Sequence, residues 1–195
     1  MRASVVAAFN LVHIAHLFNF NISNVVWPGL FPATYLLHLV EEYWGGEGYA
    51  GHLSRTRGVT FSTLRFLFLT SLGLFLMILG LVLAYRFNFP QTMLVILGTT
   101  FLLNGLSHAI TSIANFSYNP GLISGMLLWM PLGAITLLQL TGTMTGARYL
   151  MAVGIGAGIQ ATALVVTFSG GQPIKARREL FSLKKSSAIE TGDDG

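Results

Sequence analysis

Residues 66–85 read FLFLTSLGLFLMILGLVLAY and are bounded by Arg65 and Arg86. The hydrocarbon core of a bilayer takes about 20 apolar residues of helix, so this uncharged run is long enough to cross once. Within hydrocarbon every backbone N–H and C=O must be paired inside the segment, which makes a single crossing segment a helix. The rest of the chain has the same character. Of its 195 residues, 53% are hydrophobic and only 9% are charged, and the mean hydropathy is +0.66. That is the composition of a membrane protein rather than of a soluble core.

Working outward from this run, residues 86–90 form a short turn and residues 91–114 a second apolar helix, which holds Asn104, Ser107 and His108. A third helix starts at Pro120, a natural first-turn proline, and runs to Leu140 with a kink expected at Pro131. A fourth follows over 147–168. Its Gly154 and Gly158, like Gly121 and Gly125, have the spacing of a close-packing face. Upstream lies a polar loop over 47–61 with His52, Arg55 and Arg57, preceded by a helix over 29–45 that Gly45-Gly46 ends. Residues 19–28 make a polar turn. A weaker helix over 3–20 carries Asn10, His13 and His16, and it either spans or lies re-entrant or at the interface. The expected fold is an all-α polytopic transmembrane bundle of five or six helices over residues 1–171. Residues 172–195 form a basic, then acidic, cytoplasmic tail, largely disordered by composition.

The charges orient the bundle. With the C-terminus in the cytoplasm, Arg2, Arg55, Arg57, Arg65 and the five Lys/Arg beyond residue 174 fall inside, and only Arg86 and Arg148 fall outside. That bias obeys the positive-inside rule and points to the inner (plasma) membrane. Five of the eleven Lys and Arg lie beyond residue 174, and a basic stretch there suits anionic lipid rather than nucleic acid. The absence of cysteine excludes thiolate catalysis, iron–sulfur clusters and cysteine zinc sites.

Chemistry concentrates in residues 35–44, Tyr-Leu-Leu-His-Leu-Val-Glu-Glu-Tyr-Trp. At 100° per residue, Glu41 and Glu42 flank His38 at about −60° and 40°, so one imidazole and two carboxylates share a face. Ahead of the tail the only acidic residues are Glu41, Glu42 and Glu47. In the helix over 91–114, Asn104, His108, Thr111 and Asn115 fall within a stripe about 60° wide, which should face the bundle interior and the motif helix. His38 and His108 each lie ~10 Å from the cytoplasmic end of their helices, at one level of one leaflet.

The spelling His38-Leu39-Val40-Glu41-Glu42, followed by Asn104, His108 and the turn Tyr118-Asn119-Pro120-Gly121, resembles the HXXEE family of small bacterial membrane proteins. The resemblance runs from about Trp27 to about Pro131. It implies a membrane setting and a set of candidate residues, and brings no reaction with it.

Read for chemistry, His38, His108 and one of Glu41 and Glu42, Glu41 by preference, form a three-ligand set for a divalent metal such as zinc, iron or manganese, with one coordination position open and the other glutamate as general base or fourth ligand. Glu41 and Glu42 are the candidate catalytic carboxylates and can exchange roles. Asn104, Tyr118, His13 and His16 are the candidates for supporting contacts around them. The leading reading is a metal-dependent enzyme embedded in the lipid bilayer and acting on a hydrophobic small molecule. Three alternatives stay open: a metal-free glutamate-pair isomerase or cyclase, a proton-coupled transporter, and a hydrogen-bonded cluster joining helices. There is no HExxH, no lysine before Lys175 and no strand ahead of the Gly154-Ile155-Gly156 run to make a dinucleotide fingerprint. His52 reads as a solvated loop histidine and Arg65 as an interfacial snorkeller.

Overall fold

The computed structural model describes residues 26–44, 47–169 and 172–173. The expected helix over 3–20, with His13 and His16, and the tail beyond Pro173 lie outside the described residues. Among those described, six helices follow one another: α1 (Val26–Trp44), α2 (Gly48–Arg57), α3 (Thr63–Arg86), α4 (Pro90–Ala114), α5 (Leu122–Leu140) and α6 (Gly146–Ser169). The protein is all-α apart from a two-residue antiparallel pairing of Val59–Thr60 with Gln172–Pro173. Four helices, α3 to α6, are long and apolar enough to cross a membrane. The polar motif keeps α1 out of that group.

Lipid is as apolar as leucine, so hydrophobic burial does little to join these helices; close approach and interhelical hydrogen bonds do the work. α4 is the hub and packs along both α5 and α6. A Cβ added to Gly105 would lie 2.6 Å from the Gly125 carbonyl oxygen, so these two backbones touch as only glycine permits. On α6 the close-packing residue is Gly156, whose added Cβ would meet the Ile96 carbonyl at 2.5 Å. Among the described residues, nothing lies within 4 Å of a Cβ added to Gly154 or Gly158, so the expected Gly154/Gly158 face meets none of α1 to α5. α3 presents Phe68, Phe75, Leu76 and Val82 outward, as a lipid-facing helix must.

α1 lies antiparallel along α5. At one end the Trp27 indole donates to Thr136 Oγ1 at 3.0 Å; at the other, Glu41 reaches Ile123 and Ser124. Phe31, Phe101 and Trp129 fill the space between α1, α4 and α5. The irregularity expected at Pro131 is a π-helical turn over Gly125–Trp129, in which the Met130 N–H bonds to the Gly125 carbonyl five residues back. Proline has no N–H to give, and its ring clashes with the carbonyl four residues earlier, so a widened turn just ahead of it relieves both problems.

The expected loop over 47–61 is instead largely the helix α2. Gly58 caps it in the left-handed conformation (φ +62), its N–H bonded to Ser54 O. The polar composition hid an inward face of Tyr49, His52 and Leu53. His52 is buried, 1% exposed, and so is not the solvated loop histidine expected.

Candidate functional site

At the end of the bundle where α1 stops, α4 stops and α5 begins, the side chains of the motif part company. His38 and Glu42, one helical turn apart on α1, face inward and are buried. His108 comes down from α4 to meet them. The rings of His38 and His108 stand edge to face with centroids 5.0 Å apart. Glu42 Oε1 lies 3.6 Å from His38 Nε2 and 3.7 Å from His108 Nε2, and these ligand atoms all fall within 4.8 Å of one another. The shared depth read from helix lengths is therefore real contact. The group could hold a metal ion.

Those distances carry chemical information. At 3.6 and 3.7 Å the nitrogens are too far from Glu42 for hydrogen bonds. Two ligand atoms each ~2.1 Å from a tetrahedral ion stand ~3.4 Å apart, close to what is found here. Among the described residues, Nε2 of His38 has no hydrogen-bond partner and Nδ1 of His108 makes no well-formed one. A buried imidazole and carboxylate brought this close without a hydrogen bond between them favour something shared in the middle.

Glu41 goes elsewhere. Its Oε1 accepts from the Tyr118 hydroxyl at 2.6 Å and from Ile123 N at 2.9 Å; Oε2 accepts from Ser124 N at 2.7 Å and from Ser124 Oγ. The two backbone groups are unpaired donors of the first turn of α5, where a carboxylate is favoured by the helix dipole. Tyr118, in the turn after α4, thus touches the motif through Glu41. Burial and then the Glu41 carboxylate push its phenol up to about 12, so it remains a donor at neutral pH.

The structure takes Asn104 away from the cluster. Its Oδ1 accepts from Gln160 Nε2 of α6 at 2.9 Å, tying α4 to α6. The stripe on α4 therefore divides, His108 facing α1 and Asn104 facing α6.

Several residues around the site were not legible as such. Ser124 Oγ lies 2.7 Å from His38 Nδ1. The Trp129 ring, delivered by the π-turn, stacks on the His38 ring at 3.8 Å. Gly121 sits under both imidazoles: at φ +92, an added Cβ would lie 2.6 Å from His108 Cε1 and 2.7 Å from His38 Cε1. The Pro-Gly turn followed three residues later by a serine at a helix start was the available signal for Gly121 and Ser124.

From α2, Tyr49 packs on Phe66 and lies 5.7 Å from the His108 ring. Burial first, then the Glu42 charge, pushes its phenol upward, so it too stays protonated. Beside it a cleft of about 330 Å³ opens between the end of α1, α2 and the start of α3; Glu42 lines it, with Tyr43, Tyr49, Phe61 and Phe66. Glu47 forms a two-pronged pair with Arg55 on the outer side.

The fold and the cluster define a class: a polytopic helical membrane protein with a buried histidine–carboxylate centre at one end of the bundle. Within that class the chain belongs to the family described as "Protein of unknown function with HXXEE motif", whose model matches residues 29–136. That span takes in α1 through most of α5, and with them every residue of the cluster. No curated protein and no solved structure matches the chain.

Proposed function

We propose that the protein is a membrane-embedded, metal-dependent enzyme acting on a hydrophobic or lipid-like substrate. His38, His108 and Glu42 hold the ion, zinc, iron or manganese by donor type. The observation that carries this reading is the convergence of three buried ligand atoms within 4.8 Å, each imidazole standing 3.6–3.7 Å from the Glu42 carboxylate without a hydrogen bond to it. Three protein ligands leave a fourth position for water or substrate, the hallmark of a catalytic rather than a structural site. A divalent ion so held polarises a carbonyl or phosphoryl oxygen and activates water.

The chain's own residues do the rest. Glu42 lines the cleft, so the open position is reached from it, past Tyr43, Tyr49 and Phe66. Those rings accept an apolar body and keep bulk water from the site. The cleft lies at the same end as Arg55, Arg57 and Arg65, which supports the cytoplasmic leaflet by the positive-inside rule. Glu41 carries no ligand role in this reading, since four donors already occupy its two oxygens.

Elemental analysis of protein purified in mild detergent tests the proposal. The expected result is one transition-metal ion per chain, lost in His38→Gln, Glu42→Gln and His108→Gln. Metal-free protein that takes up none on addition of zinc, iron or manganese overturns it.

A further inference from the structure

We propose that Glu41 and Ser124 form a relay that fixes His38 as its Nδ1–H tautomer and so presents Nε2, bare, to the centre. The relay stands on hydrogen-bond geometry alone; its effect on affinity rests on the metal reading above.

The argument counts protons. Glu41 receives four donors, two of them backbone N–H groups of the first turn of α5. A carboxylate so placed at a helix N-terminus is held in its ionised, acceptor-only form. The single proton of Ser124 Oγ is therefore directed at Glu41 Oε2, the shortest contact of the set. Toward His38 the same oxygen then offers only a lone pair. His38 Nδ1 lies 2.7 Å from it and must supply the hydrogen. In the neutral ring, Nε2 is left as the acceptor, and Nε2 is the atom 3.6 Å from Glu42 Oε1.

An imidazole whose far nitrogen donates to a carboxylate, here through one hydroxyl, is oriented and made more basic as a ligand. The stacking of His38 on Trp129 at 3.8 Å fixes the ring plane within which this operates. The first glutamate of the motif is then a positioning residue working through Ser124, and the second is the one that faces the ion.

The test uses full-length protein in detergent, labelled with ¹⁵N-histidine and free of metal, with His38→Gln identifying the His38 signals. The wild-type spectrum decides first: His38 is expected as Nδ1–H, and an Nε2–H ring overturns the relay. In Ser124→Ala the Nδ1–H preference should be lost and zinc affinity should fall ~10–100-fold, the usual effect of removing such a support. Ser124→Thr, which restores the hydroxyl, should recover both. A Ser124→Ala protein that keeps the Nδ1–H tautomer overturns the relay. If the tautomer behaves as stated but no variant, wild type included, binds zinc, iron or manganese, the relay stands and the metal reading falls.

Discussion

Replacing Gly121 by alanine tests the site through a residue that offers no ligand atom. Its φ of +92 lies where a Cβ costs about 1–2 kcal/mol. Gly142 supplies the control, with φ +85 and no described residue within 4 Å of an added Cβ. Without metal, Gly142→Ala should therefore lose about 1–2 kcal/mol of stability, and Gly121→Ala about 1–3 kcal/mol more for the crowding its methyl causes. Only Gly121→Ala also pushes on the rings. Its methyl would start 2.6 Å from His108 Cε1, where ordinary contact begins at 3.4 Å, so ring or backbone must give by the difference, 0.8 Å. Metal–ligand distances tolerate only about ±0.2 Å. Thermal unfolding with and without zinc separates the two effects. At free zinc 100 times the wild-type Kd, wild type and Gly142→Ala should each gain about 2.7 kcal/mol, and Gly121→Ala little or none. If Gly121→Ala gains as much from zinc as Gly142→Ala, the imidazoles do not hold the ion.

Other outcomes follow from the same geometry. Glu42→Gln and His108→Gln should each lower zinc affinity by more than the ~10–100-fold expected from a supporting residue, read by competition with a chromophoric chelator. Trp27→Phe removes the indole bond to Thr136 and part of a buried ring at the far end of α1 and should cost at least ~0.6 kcal/mol, with zinc stoichiometry unchanged; denaturant unfolding and elemental analysis check both halves. The docking of α2 should weaken in acid. Burial, then the Arg55 charge, lowers the proton affinity of His52, so its contribution is complete above the ordinary value of 6.5 and is lost as pH falls below it. Glu47, held down chiefly by its hydrogen bonds to Arg55, adds a second loss below about 4.5. Amide protection over residues 48–57, corrected for intrinsic exchange, should fall in those two steps, and His52→Gln should remove the first.

The membrane architecture was legible because composition decides it: an uncharged 20-residue run has one stable form in lipid. The meeting of His38 and His108 was legible too, since helix rise and the charge rule set both at one depth. Three things escaped. Helix α2 lacks an apolar stripe, and its inward face is a tyrosine, a histidine and a leucine, which periodicity does not register. Asn104 shares its stripe with His108, but a stripe about 60° wide sits between two neighbouring helices, and rotation alone cannot assign each residue to one of them. The separation of Glu41 from Glu42 depends on where α5 begins, a fact of tertiary packing that the local angle about His38 does not contain.

That separation explains the spacing of the motif. A carboxylate four residues after His38 lies about 40° around the helix and one turn along, beside the ring. A carboxylate three residues after lies about 60° to the other side, and there it meets the exposed N–H groups of α5. A helix places one acid against the His38 nitrogen that faces the cluster while sending its neighbour, by way of another helix, to the nitrogen behind. Ser124 closes the circuit, because its backbone and hydroxyl both bond to Glu41 while its oxygen meets His38. The two glutamates are thus not interchangeable. A glutamine at position 42 replaces a charged oxygen facing two imidazoles, whereas at position 41 it sets an amide beside the donors of a helix start. The first change should cost more than ~100-fold in metal affinity; the second should leave a site that binds ~10–100-fold more weakly, with His38 free to change tautomer.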